Sequence, residues 1–203
     1  MTAVEVQTAP AKALSTTVTG SRSLGWWGMV LFILTESVLF LALIFSYFYI
    51  RIGTPAWPPD GIKPPELRLP IIMTVILLSS SAPMFWAESG IRKGSQSHLR
   101  WGLALAFLLG AAFLGLQGYE YSNKEFSPQT NAYGSLFFII TGLHGTHLLV
   151  GMALNGVTQV RAWLSHFDER RHLAVQNTAM YWHFVDAVWI VILSSLYISP
   201  HFL

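Results

Sequence analysis

The sequence predicts an all-α membrane protein, an integral bundle of five transmembrane helices. Of its 203 residues, 53% are hydrophobic and only 11% are charged, whereas charged residues make up about a quarter of an ordinary soluble domain. Five apolar stretches are each long enough to cross a bilayer, which takes about 20 residues. These observations place the chain in the membrane class. The absence of cysteine excludes disulfides, thiolate metal sites and catalytic thiols.

The chain divides into a polar N-terminal tail, residues 1–23, and a transmembrane domain, residues 24–203. The tail is rich in Thr, Ser and Ala and lacks the apolar centre of a secretory signal, so we expect a flexible, solvated segment. The five predicted spans are 24–50, 69–91, 99–119, 132–164 and 178–199.

Each span has its own justification in the sequence. The first is apolar almost throughout, and the prolines that follow it, in RIGTPAWPPDGIKPPELRLP, predict an extended loop before the second. The third and fourth are rich in Gly and Ala, which let helix backbones approach closely. The fourth is long enough to tilt or to extend into water. The fifth opens with the polar and aromatic motif YWHFVDAVW.

The distribution of Lys and Arg predicts the orientation. Cations on the side of the N-terminal tail outnumber those on the opposite side by about two to one, and cytoplasmic loops carry the excess of positive charge. We therefore expect the N-terminus inside and the C-terminus outside. The positive and negative charges are nearly balanced, and the chain lacks clusters of basic and aromatic residues. The sequence therefore does not indicate nucleic-acid binding.

Glu36 interrupts the apolar stretch LFILTESVLFLAL, with no basic residue nearby in sequence. Because an uncompensated charge at mid-bilayer costs about 2.5 kcal/mol or more, this side chain must be neutral, paired or facing protein. Three interpretations are open: a hydrogen bond to another helix, a proton-relay acid, or a ligand-binding group. A relay would need further acids along the same helix, and the sequence has none there. We expect Glu36 to tie the first span to a neighbour such as the fourth.

Two pairs of polar residues share helix faces in the last two spans. His144 and His147, in TGLHGTHLLVG, are three residues apart, as are His183 and Asp186. Two imidazoles alone do not complete a zinc site, but a haem held by His144 or His147 together with His183 remains an alternative. His183 and Asp186 can form a helix–helix lock. No Ser or Cys nucleophile motif accompanies them.

Two other acids lie towards span ends. Glu88 and Arg92 form an i,i+4 pair that we expect to be solvated. Glu120, in QGYEYSNKEF, is expected at the membrane interface. From the residues alone, therefore, the chain has polar helix contacts and no evident active site, which is typical of a subunit of a larger complex.

Four motifs occurring in order, WGMVLFILTESVLF, WPPDGI, YGSLFFIITGLHGTHLLVG and YWHFVDAVWI, carry a resemblance to a known family. The chain resembles subunit III of the haem–copper oxidases over nearly everything from Gly25 onward. It is similar to the cytochrome c oxidase branch more than to the quinol oxidase branch, whose members tend to have Asp where Glu36 stands.

The resemblance implies an accessory subunit of a proton-pumping, aa3-type cytochrome c oxidase, without an active site of its own, in a bacterial cell membrane. Such a subunit binds no haem, copper or other metal itself. Haem and copper are expected in partner subunits. It packs on and stabilises catalytic subunit I, supports proton uptake and holds phospholipids; subunit II, small subunits or a supercomplex are further partners. The family motifs map onto a buried acid or helix lock, Glu36, His183 and Asp186, and onto structural or lipid-facing residues, His144, His147 and Trp182.

Longer members of that family have seven helices, two of which precede the helix that carries the acid. A polar tail stands in their place here, so we expect either that another chain supplies two helices or that the lipid cleft between the two groups is open. Three functional alternatives to the main interpretation remain: a quinol oxidase subunit III, a haem-binding membrane cytochrome, and a proton-coupled transporter built around Glu36.

Overall fold

The computed structural model describes residues 23–59 and 62–202, and all regular secondary structure in these ranges is helical. Five helices are long and apolar enough to cross a membrane, which confirms the predicted fold class. They are α1 (Leu24–Ile52), α2 (Arg68–Arg92), α3 (Gln96–Ser122), α4 (Ala132–Trp163) and α5 (Leu173–Ile192), and α5 continues through a π-helical turn (Leu193–Ile198) and a 3-10 turn (Ser199–His201). Of the predicted tail, residues 1–22 lie outside the described residues.

The observed helices extend beyond the predicted spans at most ends. The largest difference is at α5, which begins at Leu173 rather than at 178. Hydropathy marks the apolar part of a helix, whereas backbone hydrogen bonds continue through polar residues such as Gln176 and Asn177. The Asn177 amide then donates to the carbonyl oxygen of Gly25 over 3.2 Å, joining the ends of α5 and α1.

Three helices begin at residues whose side chains cap the first turn. The hydroxyl oxygens of Ser23 and Ser95 accept from the backbone N–H groups of Trp26 and His98, and Asn131 Oδ1 accepts from Gly134 over 3.0 Å. These are the residue types that satisfy the free N–H groups at a helix start, so they fix where α1, α3 and α4 begin.

Two of the connections between helices have defined backbone conformations or hydrogen bonds. Only Lys93–Ser95 separates α2 from α3, and Gly94 takes φ = +75°, a left-handed conformation that glycine adopts without strain. In the connection from α4 to α5, the Asp168 carboxylate accepts backbone hydrogen bonds from Arg171 and Arg170, which hold the pKa of this exposed carboxyl below its usual range.

Helix α5 is the central helix of the bundle. It packs against α1, α2 and α4, while α3 packs on the other sides of α2 and α4. Its two buried tryptophans tie it to α2, since the indole N–H of Trp182 donates to Ser80 Oγ and that of Trp189 donates to Thr74 Oγ1, both over 2.8 Å. The core therefore lies between α5 and its three neighbours, and it extends to buried residues of α3 such as Leu103 and Phe113.

The outer layer is held by polar contacts between α3 and α4. The Gln117 amide donates to the backbone carbonyl of Thr141 over 2.7 Å, and the Tyr121 hydroxyl lies 2.6 Å from Thr141 Oγ1. A Cβ at Gly145 would lie 2.8 Å from Gln117 Oε1, so the absence of a side chain there leaves room for the amide. Small residues thus allow interhelical hydrogen bonds within the bundle.

Candidate functional site

The polar side chains at membrane depth form separate clusters instead of one site. The first joins α1 to α4: Glu36 Oε2 lies 2.9 Å from His147 Nε2, and His147 Nδ1 lies 2.8 Å from the carbonyl oxygen of Leu143. Since that carbonyl only accepts, Nδ1 carries a proton, and Nε2 donates to Glu36 only if the ring is doubly protonated. The alternative is a protonated Glu36 that donates to a neutral ring. Either form satisfies both groups.

The Glu36–His147 pair has partly open surroundings. The side chains are 24% and 12% exposed. The Phe40 ring packs edge-on against His147, with centroids 4.9 Å apart. Each residue lies near the middle of its helix, Glu36 about 18 Å from the start of α1 and His147 about 22 Å from the start of α4. Glu36 therefore has a hydrogen-bonding partner at membrane depth within the chain.

We expect Glu36→Gln to preserve the contact between α1 and α4, and Glu36→Leu to weaken it by about 1 to 3 kcal/mol. The amide of Gln still hydrogen-bonds to an imidazole, whereas Leu leaves the ring nitrogen of His147 unsatisfied. Reversible unfolding of the purified chain in detergent, followed by tryptophan fluorescence, measures both changes. Equal stability of the Leu variant and the wild type would contradict the role of Glu36 as a helix lock.

The second cluster joins α5 to α2 around the hydroxyl of Ser81. This hydroxyl donates to Asp186 Oδ2 in a short hydrogen bond, and His183 Nδ1 lies 3.1 Å from Ser81 Oγ. The direct separation of His183 Nδ1 from Asp186 Oδ2 is 3.7 Å, so Ser81 bridges the two. The Asp186 side chain is buried and His183 is 40% exposed. The sequence motifs include His183 and Asp186 but not Ser81, which belongs to no motif.

This cluster is not a nucleophilic triad. Serine and aspartate both meet the same ring nitrogen of His183, so the imidazole cannot relay a proton from the serine to the carboxylate through its two nitrogens. Its arrangement suits a structural contact between two helices.

The third cluster joins the end of α3 to the π-helical turn after α5. Glu120, which we expected near the membrane interface, lies in the last turn of α3 and is buried within the protein: its Oε1 lies 2.8 Å from Lys124 Nζ, and the Tyr197 hydroxyl donates to its Oε2 over 3.0 Å. The Lys124 ammonium lies 4.8 Å from the centroid of the Phe137 ring. The π-helical turn covers this end of α3 and excludes water from an ion pair that hydropathy alone places at the surface.

The remaining predicted residues are packed inside the bundle. His144 is fully buried between Phe113 and Trp189, with ring centroids 5.7 Å and 5.1 Å away. Neither of its ring nitrogens has a hydrogen-bond partner among the described residues. Trp182 is 1% exposed.

The three histidines proposed for a haem alternative do not converge. His147 faces Glu36, His183 faces Ser81, and His144 is enclosed by aromatic rings. Within residues 23–59 and 62–202, no group of three His, Cys, Asp or Glu side chains is arranged to hold a metal ion. By contrast, the expected i,i+4 pair of Glu88 and Arg92 forms at the end of α2, with an N–O distance of 2.5 Å.

Tyr133 tests whether an unpaired polar group inside the bundle costs stability. Its ring is buried against Trp57 and Phe137, but its hydroxyl has no hydrogen-bond partner in the described part of the chain. An unsatisfied buried hydroxyl costs free energy that an apolar ring avoids. We expect Tyr133→Phe to leave the stability unchanged or to raise it by about 1 kcal/mol in detergent unfolding. A loss of stability greater than 1 kcal/mol would contradict this account, and Tyr197→Phe, which loses a hydrogen bond to Glu120, is the control that should destabilise.

Comparisons with known proteins match most of the chain. The family model described as "Cytochrome c oxidase subunit III" matches residues 13–200. Cytochrome c oxidase subunit 3 of the earthworm Lumbricus terrestris is 37% identical over 177 residues, which cover 84% of this chain and 68% of the relative. The Gallus gallus protein gives the same identity and coverage. That of Neurospora crassa is also 37% identical, over 84% of this chain and 65% of the relative.

Proposed function

The chain belongs to the cytochrome c oxidase subunit III family, and on that basis we propose that it is a non-catalytic, accessory subunit of an aa3-type, proton-pumping cytochrome c oxidase. The observation that carries the proposal is the match of one family model to residues 13–200, which include all five membrane-spanning helices. The chain is a multi-pass membrane protein of an oxidoreductase complex. Its own part in that complex is structural.

The geometry of the polar clusters supports a structural role for this chain in the complex. Glu36 is engaged by His147, Asp186 by Ser81, and Glu120 by Lys124 and Tyr197. Each cluster joins two elements of the bundle and presents no converging set of acid, base and nucleophile. We assign Glu36, His183 and Asp186 as helix locks, and His144, His147 and Trp182 as structural residues within the bundle. Haem and copper belong to partner subunits in this proposal.

The partners and the membrane follow from the same premise. The chain packs on catalytic subunit I, with subunit II and small subunits in the same complex, and it holds phospholipids. One groove, of about 230 Å³, lies between α1 and α5 and has almost entirely apolar walls. The bacterial plasma membrane is the proposed location, with the N-terminus inside as the distribution of Lys and Arg indicates.

The experiment is a pull-down of the chain from native membranes in mild detergent. The reduced-minus-oxidised spectrum of the eluate is recorded before and after the chain is stripped in harsher detergent. We expect haem and copper to arrive with larger partner chains and to leave with them. A haem spectrum that stays with the stripped chain would overturn the assignment of His144, His147 and His183.

Donor assays on the same eluate distinguish two branches of the proposal. Oxidation of reduced cytochrome c is expected from a cytochrome c oxidase. Oxidation of quinol without cytochrome c would replace this with a quinol oxidase subunit III.

A further inference from the structure

One surface of the central helix is open to the membrane between two neighbouring helices. Residues at intervals of three or four along α5 and the turn after it share one partly or fully exposed face. We call this face the α5 stripe; it consists of Gln176, Met180, His183, Ala187, Ile190 and Ser194. Because α5 packs against both α1 and α2, the stripe is flanked by a helix on each side.

The middle of this surface, away from Gln176 and Ser194, is apolar apart from His183 and from Ser37, whose hydroxyl donates to the carbonyl oxygen of Ile33. The groove of about 230 Å³ beside the stripe is lined by Phe40, Leu41 and Ile44 of α1 and by Ala187 and Val191 of α5, among others. Such walls accept aliphatic side chains or acyl chains equally well. The groove alone does not identify what covers it.

His183 distinguishes a protein helix from an acyl chain as the occupant of this surface. It lies about 15 Å along α5 from the start of the helix, at the same level as Ser81 in the middle of α2. Ser81 has one hydroxyl proton and gives it to Asp186, so its oxygen accepts from His183 Nδ1–H. In the neutral ring this leaves Nε2 as a hydrogen-bond acceptor, and within the described residues it makes no hydrogen bond.

An acyl chain has no donor for that nitrogen. A half-exposed imidazole facing hydrocarbon would forfeit a hydrogen bond where water cannot replace it. A transmembrane helix with a hydroxyl, amide or indole group at mid-membrane would complete the cluster, and its aliphatic side chains would fill the groove.

We propose that the α5 stripe, flanked by α1 and α2, is the docking surface for one transmembrane helix of a different protein chain, which donates a hydrogen bond to His183 Nε2. This inference rests on the proposed function, because it names the face through which the chain joins its larger partner. The partner is identified by its chemistry: an apolar helix with a single central donor.

The first test places a photoreactive benzoylphenylalanine at position 187, in the centre of the stripe, in native membranes. Position 153 is the matched control, since Ala153 is likewise an exposed alanine near the middle of a helix, on the α3–α4 side of the bundle. After irradiation and mass analysis, we expect an adduct with another protein chain from position 187 and none from 153. Lipid adducts alone from 187, adducts with a second copy of this chain, or equal protein adducts from both positions would overturn the proposal.

The second test compares Ala187→Trp with Ala153→Trp and measures how much partner chain co-purifies in mild detergent. We expect at least a tenfold loss for Ala187→Trp, because a bulky ring would separate the two helices, and near wild-type recovery for Ala153→Trp. His183→Gln should retain more partner than His183→Leu, since only the amide can accept a hydrogen bond. Equal recovery of the two Trp variants would overturn the docking surface. The proposed function fails independently if the unmodified chain brings down no oxidase.

Discussion

Glu120→Leu is expected to destabilise the chain by about 3 to 5 kcal/mol, because it leaves the buried Lys124 ammonium without its carboxylate. The side chains of Lys124 and Glu120 are only 13% and 6% exposed, so water cannot replace the lost partner. The Tyr197 hydroxyl loses its acceptor in the same substitution. The measurement is reversible unfolding of the purified chain in detergent, followed by tryptophan fluorescence.

The chain offers a matched control for this prediction. Glu88 and Arg92 are also an i,i+4 pair at the end of a helix, but the Arg92 side chain is 53% exposed. Breaking a solvated pair of this kind costs about 0.5 kcal/mol or less, so Glu88→Leu should change the stability little. Glu120→Gln should fall between these limits, because the amide oxygen still accepts from both partners without a charge. Similar losses from Glu120→Leu and Glu88→Leu would mean that Glu120 is solvated.

The contrast between these two pairs explains which features could be predicted from the sequence. The five spans follow from local hydropathy, because each helix satisfies its own backbone and needs only apolar length to cross a membrane. The burial of Glu120 does not follow from local hydropathy. It depends on the π-helical turn of residues 193–198, which brings Tyr197 over the end of α3. No local pattern in the sequence indicates such a turn.

The candidate site divides in the same way. The need of Glu36 for a partner could be inferred from its surroundings, because an isolated carboxylate is costly at mid-bilayer. The contact with His147 spans 111 residues of sequence and requires the packing of α1 against α4. Ser81 has no unusual sequence context, yet it bridges His183 and Asp186. Contacts that form only when the helices pack together cannot be predicted from single segments of the sequence.

Gly102→Leu is expected to cost about 3 kcal/mol, at the upper end of what overpacking a well-packed interior usually costs. A Cβ at this position would lie 2.5 Å from the carbonyl oxygen of Pro83, and 2.8 Å from Ala87 Cβ. The first of these is a backbone atom, so no rotamer change can relieve the contact, and the backbones of α2 and α3 must move apart at this point.

Gly115→Leu is the matched control, since Gly115 lies on the same helix and a Cβ there would meet no atom within 4 Å. In a helix, Leu is favoured over Gly by roughly 1 kcal/mol, so Gly115→Leu should be neutral or stabilising, while Gly102→Leu should unfold at much lower denaturant. Gly102→Ala separates sterics from helix propensity: propensity alone predicts a gain of about 1 kcal/mol, and the contact with Pro83 predicts a loss. A gain in stability for Gly102→Ala would show that α2 and α3 pack less closely than the structure places them, because the sign depends only on whether Pro83 has room to move.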